Sequence, residues 1–143
     1  MTRETVLSNA RIVLEDQILD GTLVLRDGLI ADITEGSSDI GEDMEGDFLI
    51  PGLVELHTDH LEAHYSPRPG VRWGKTAAIQ SHDAQVVTSG ITTVFDCLRM
   101  GSDADGGFEK GEMRAMADAI ADAQNEDRLR AEHLIHLRCE VST

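Results

Sequence analysis

LIPGLVELHTDHLEAHYSPRPG, residues 49–70, begins as an apolar run and then presents His57, Asp59, His60 and His64 in quick succession. A strand rich in Leu and Val that ends in imidazoles and carboxylates fits an α/β barrel, where strand C-termini open onto the active-site mouth. Read back to Phe48, FLIPGLVEL is nearly continuous in apolar residues, the pattern expected of a strand buried on both faces of a parallel sheet. Read forward, residues 75–89 (KTAAIQSHDAQVVTS) have helical character and Gly90 supplies a stop. ITTVFD, residues 91–96, is a second buried strand. After the turn-rich SDADGG, EKGEMRAMADAIADAQ carries apolar residues at helical spacing, and HLIHLRCEV, residues 133–141, is a third strand. Strand, helix, strand, helix, strand is the grammar of βαβ units.

Upstream, ETVLSNARIVL and TLVLRDGLIADIT are β-branched runs, and Asp27-Gly28 inside the second is a two-residue hairpin signal. Residues 35–47 are acidic and Gly-rich, a surface connection. Residues 1–50 therefore read as a small antiparallel β unit, and residues 51–143 as the start of a barrel. A whole barrel takes about 250 residues, so the chain is expected to stop less than halfway round one.

Composition narrows the function classes. With 143 residues, 41% of them hydrophobic, the chain can bury a core. Its 27 acidic against 12 basic residues, a formal charge of −15, argue against a nucleic-acid partner. No apolar run approaches the roughly 18 residues of a spanning helix, and the N-terminus lacks a signal-peptide core, so no membrane association and a cytoplasmic location are expected. Cys97 and Cys139 sit in hydrophobic runs, which suits buried thiols in a reducing compartment without a redox role.

The residues that can carry chemistry cluster at strand ends. On a regular strand, positions i and i+2 share a face, so His57 and Asp59 are expected to point the same way and can bind one divalent ion between them. The same pair also fits a strand end that is merely capped and solvated. His136, Arg138 and Glu140 alternate onto one face of the third strand. Glu140 there either bridges two ions or pairs with an arginine such as Arg138. Arg68 and Arg72, in the Pro-stiffened SPRPGVRW, either offer bidentate donors to phosphates or are simply solvated. His60 and His64 either approach the site or have no direct role, Asp96 either orients a ligand histidine or caps the following loop, and His136 either lines the barrel beneath Glu140 or serves the strand core. His82-Asp83 is expected to serve helix packing, since adjacent helical residues do not share a face.

LIPGLVELHTDHLEAHYSPRPGVRW, SHDAQVVTSGITTVFD and RAEHLIHLRCE resemble the phosphonate-metabolism diphosphatases of the amidohydrolase superfamily, the PhnM family of the carbon-phosphorus lyase pathway. The resemblance implies the fold class α/β: a small N-terminal β-sandwich-like unit followed by the first three β/α units of an amidohydrolase-type (β/α)8 barrel, here incomplete. It implies His57 and Asp59 as metal ligands and Glu140 as a bridging carboxylate. Two divalent ions are implied, with zinc, manganese and iron not distinguished by N and O ligands. The implied partner is a phosphorylated ribose phosphonate, alpha-D-ribose 1-methylphosphonate 5-triphosphate, hydrolysed to the 5-phosphate and pyrophosphate. Two alternatives stand beside it: hydrolysis of a cyclic amide or N-acyl substrate, and a non-catalytic barrel scaffold. Because three strands alone leave apolar edges open, a homo-oligomer or pairing with the missing C-terminal part is also expected.

Overall fold

The structure, a computed structural model, describes residues 3–100 and 111–139. Two compact units divide the chain, Met1–Pro51 and Gly52–Thr143. In the first, β1 (Glu4–Val13), β2 (Ile18–Arg26) and β3 (Leu29–Glu35) pair antiparallel in the order β3-β2-β1. Only Asp27 and Gly28 separate β2 from β3, at φ 52° and 83°, the left-handed pair that a tight hairpin requires. Two short strands, β4 (Glu42–Asp43) and β5 (Phe48–Leu49), add parallel to β1, so the unit is a mixed sheet and not the purely antiparallel one expected. The parallel additions depend on a register shift in β1 between Leu7 and Ala10, where Asn9 adopts φ 54°. The Asn9 side chain donates to Ser38 O and Asp43 Oδ1 and accepts from Ser38 N, holding the acidic connection against the sheet. Ala10, Ile12 and Leu23 form this unit's buried cluster.

The second unit is a parallel sheet of β6 (Leu53–Thr58), β7 (Ile91–Met100) and β8 (Glu132–Cys139), in that order. Helices α1 (His60–Tyr65) and α2 (Lys75–Thr88) join β6 to β7, and α3 (Glu112–Asn125) precedes β8. These are the two βαβ crossovers anticipated from the sequence. The short helix α1 was not, since its residues lie in what reads as a Pro-rich loop. Leu98 of β7 packs with Leu61 and Tyr65 of α1, Ile79 of α2, and Met116 and Ile120 of α3 in one buried cluster. Val94 of β7 packs against Val86 of α2 and Ala131. Val94, Asp96 and Leu98 thus face the helices, and the alternation of the strand turns Phe95, Cys97 and Arg99 to the opposite, open face.

One expectation about this region is corrected. FLIPGLVEL is not one strand buried on both faces: it breaks at Pro51-Gly52, Phe48–Leu49 joining the first sheet and Leu53–Thr58 the second. Pro51 has no N–H to give a ladder. Gly52 passes so close to Thr92 that an added Cβ would lie 2.2 Å from its side chain. Nor is β6 buried. As an edge strand it leaves Leu53, Val54 and Leu56 half exposed or more, and β8 does the same with Leu137.

The Gly52 contact yields a stability prediction. Gly52→Ala forces Thr92 aside and is expected to destabilise the protein by about 1–3 kcal/mol, read by urea denaturation. Adding Thr92→Ala should recover much of the loss; no recovery would show that the contact is not the cause.

Candidate metal centre

Two side-chain clusters lie back to back on β7, built from neighbouring residues that its alternation sends to opposite faces. On the helix side Asp96 is fully buried and its carboxylate takes two imidazoles: His82 Nε2 of α2 at 2.8 Å from Oδ1, and His133 Nδ1 of β8 at 2.7 Å from Oδ2. The other His133 nitrogen lies 3.3 Å from Asp83 Oδ1, which also accepts from the N–H groups of Arg130 and Ala131 at 3.0 Å. Both nitrogens of His133 therefore face carboxylate oxygens, an environment that favours the imidazolium. Burial alone would lower the pKa of His133, but the hydrogen bonds and charges of Asp96 and Asp83 outweigh it and raise the value above that of an ordinary histidine. Burial alone would likewise raise Asp96, and His133 and His82 together bring it below the usual carboxylate range. His82 Nδ1 is buried without a hydrogen-bond partner among the described residues.

His82, Asp96 and His133 also bring their donor atoms as close together as the ligands of a single ion. Their individual separations argue against one. Nitrogen-to-oxygen separations of 2.7–2.8 Å are direct hydrogen bonds, whereas ligands of one tetrahedral ion with bonds near 2.0–2.1 Å stand about 3.3 Å apart. This cluster is a polar clamp binding α2, β7 and β8.

On the open face, His57 of β6, Cys97 of β7 and His136 of β8 each bring one donor atom to within 4.8 Å of the others. The His57 and His136 rings meet edge to face, 5.1 Å between centroids. Asp59 reaches the same face and forms an ion pair with Arg138, Oδ2 to Nη1 2.8 Å. His57 and Asp59 do not get there as regular strand neighbours. Between Glu55 and Thr58, β6 advances three residues while β7 advances two, from Val94 to Asp96, so a bulge re-aims the strand end. Asp59 already lies outside β6, as the N-cap of α1. What reunites them is β8, since His136 and Arg138 are two residues apart and share a face.

The remaining candidates are placed as follows. Glu140 lies outside the described residues. His60 is the first residue of α1 and exposed, its N–H bonded to Thr58 Oγ1. His64 Nε2 lies 2.8 Å from Gln85 Oε1, so it ties α1 to α2. Asp96 faces the helices, where it orients His82 and His133 and no residue of the open-face trio. His136 sits within that trio itself. Arg68 is exposed in the loop and bridges to Val71. Arg72 bonds Ser66 Oγ, lies 3.9 Å from Glu112 Oε2 and covers the Tyr65 ring at 5.6 Å, a set of contacts within the fold. Sequence reasoning missed Cys97 as a donor and Asp83–His133 as a pair. The signal for both was the coincidence of FDC on β7 with SHDA on α2 and HLIH on β8.

No helix among the described residues is long and apolar enough to cross a membrane. No family model matches the chain. Over 138 residues, 95% of its length, it is 42% identical to alpha-D-ribose 1-methylphosphonate 5-triphosphate diphosphatase of Escherichia coli K12, of which it spans 36%. It is 36% identical over 80 residues to dihydroorotase of Syntrophus aciditrophicus, which covers 51% of this chain and 19% of that one. It is also 28% identical over 97 residues to L-hydantoinase of Paenarthrobacter aurescens, covering 65% of this chain and 20% of that one. The crystal structure of a D-hydantoinase matches 94% of this chain and 27% of its own at a TM-score of 0.58 and 21% identity, which bears on the fold alone and supports an amidohydrolase-type (β/α)8 barrel. The resemblance read from the motifs thus holds along nearly the whole chain, which spans about a third of that first relative, and its relatives are hydrolytic enzymes of the amidohydrolase superfamily.

The clamp has a pH signature. His133, raised in the folded state, contributes stability that is complete below its unfolded pKa of about 6.5 and lost as pH rises through the folded value. Asp96, lowered in the folded state, contributes stability present above its unfolded value of about 3.9 and lost as pH falls below it. Thermal melts of wild type should therefore peak between about pH 4 and 6.5. Asp96→Ala, which strands two imidazoles, should cost about 3–5 kcal/mol at pH 6. A melting profile unchanged by that substitution would contradict the clamp.

Proposed function

We propose that this chain forms the N-terminal part of a metal-dependent diphosphatase that hydrolyses alpha-D-ribose 1-methylphosphonate 5-triphosphate to the 5-phosphate and pyrophosphate. The observation that carries the reading is the convergence of His57, His136, Cys97, Asp59 and Arg138 on one face of three parallel strands, beside 42% identity to the E. coli diphosphatase. The donor set suits a divalent ion: imidazole nitrogens and a carboxylate at a rim, with Arg138 balancing the carboxylate until a cation competes for it. His57 and Asp59 would hold the metal, with Glu140 as the bridging carboxylate expected from the resemblance. A bound ion supplies Lewis acidity, lowering the pKa of water and offsetting phosphoryl charge.

The rest of the work falls to the chain. Water adds to a phosphorus of the triphosphate, the anhydride P–O bond breaks, and pyrophosphate departs with the electron pair. Arg138, paired with Asp59 at the rim, is a guanidinium of the kind that holds phosphate bidentately. Arg68, exposed beyond α1, is the second phosphate donor of this reading, whereas Arg72 serves to fix the loop. In the same reading the β unit is sandwich-like, β6 to β8 are the first three strands of the barrel, the location is cytoplasmic, and the open edges are covered by later strands of the same protein.

A second reading, hydrolysis of a cyclic amide, is favoured by the likeness to dihydroorotase and the hydantoinases. The test is product analysis with the intact protein. Pyrophosphate release from the ribose triphosphate is expected, with none of the carboxylic acid that hydantoins or dihydropyrimidines would give; the reverse result overturns the proposal. His57→Ala should lower kcat/KM by about a hundredfold or more, the equivalent of the several kcal/mol a metal contributes, and chelation followed by metal addition should abolish and restore activity. Arg68→Ala should raise KM with thermal stability unchanged, while Arg72→Ala should lower stability through its lost contacts.

A further inference from the structure

Phosphoanhydride hydrolysis at a metal requires nitrogen and oxygen ligands and has no need of sulfur, yet the central member of the open-face trio is a thiol. Cys97 is 1% exposed, in the middle strand of the three, with His57 on one neighbouring strand and His136 on the other. Strand spacing in a sheet is about 4.8 Å, so β6 and β8 stand about 9.6 Å apart, and the two imidazoles lean inward over the central strand to meet above Cys97. Ligands of one ion stand about 3.3 Å apart or slightly more when sulfur is among them, and donors already within 4.8 Å reach that by small rotations about χ1 and χ2. The helix-side trio fails this test because its atoms are locked in direct hydrogen bonds. The open-face trio passes it: His57 and His136 meet ring edge to ring face, and His136 Nδ1 lies 3.4 Å from Leu56 O, a contact that orients the ring and leaves its Nε2 for an ion.

We propose that Cys97 is a metal ligand, forming with His57 and His136 a His2Cys site for a borderline-soft divalent ion, zinc above manganese or magnesium. The proposal rests on the metal-dependent reading above and adds to its His57 two ligands, Cys97 and His136, and a metal preference. On binding, the sulfur-to-metal bond forms as the S–H bond breaks, and the proton leaves to solvent. A thiolate ligand selects zinc, cobalt or iron(II) over the oxygen-seeking ions.

Cobalt(II) makes the ligand visible, because cobalt–thiolate bonding gives an intense near-ultraviolet charge-transfer absorption that nitrogen and oxygen ligands do not. The intact protein, stripped with chelator and titrated with cobalt(II), is expected to show this band. It should be lost in Cys97→Ser and retained in Cys139→Ser, whose thiol is exposed. Cys97→Asp, which keeps an anionic ligand should the serine variant fold poorly, is expected to bind metal without the band and to shift preference toward manganese. His136→Gln should keep the band while weakening cobalt binding about tenfold or more. A band that survives Cys97→Ser, or a wild-type protein that binds cobalt without one, overturns the proposal. The two readings fail separately: a Cys97-dependent band in a protein that releases no pyrophosphate refutes the reaction and keeps the ligand, and pyrophosphate release without the band does the reverse.

Discussion

The second unit depends on one buried carboxylate. Asp96 sits in the central strand with no access to water and is shared by an imidazole from α2 and another from β8. A buried carboxylate would ordinarily be expelled or neutralised; here His133, faced by carboxylates on both its nitrogens, supplies the compensating charge. Asp83 closes the chain by accepting two backbone N–H groups at the entry to β8. The helices, the strand order and the height of β8 relative to β7 are thereby set by directional bonds, where apolar packing alone would tolerate sliding.

That constraint determines the open face. With β8 paired to β7 at Cys97↔His136 and Arg99↔Arg138, His136 comes level with the thiol and Arg138 one step closer to the rim. The bulge in β6 then brings His57 onto His136 and leaves Asp59, already in the turn to α1, opposite Arg138. His57, Cys97, His136 and the Asp59–Arg138 ion pair are thus brought to one face by the register of β7 with its two neighbours.

Much of this architecture could be read from residue order. Asp27-Gly28 announced the hairpin because only left-handed backbone closes a two-residue loop. Gly90, at φ 79°, ended α2 where expected. The break at Pro51-Gly52 could not be read from hydropathy, since Phe48, Leu49, Leu53 and Val54 are equally apolar on either side of it. The site was legible in its residue types and not in its partners. HxD and HLRCE identified His57, Asp59 and His136 as worth following, but that Cys97 stands between two of them is a matter of strand order and register, which no local pattern encodes. Asp96 read as a group at the mouth because its strand was expected to end there; β7 continues to Met100, and Asp96 is interior.

Because Asp96 and Cys97 are consecutive and serve opposite sides of the sheet, β7 has a single permissible frame. A slip of one residue past its neighbours would turn the thiol toward His82 and His133 and the carboxylate toward His57 and His136. The helix side would lose the carboxylate that His82 and His133 share, and the open side would trade a soft donor for a hard one. Insertions or deletions in the turn at Gly90 would therefore disturb the buried clamp and the open-face cluster together.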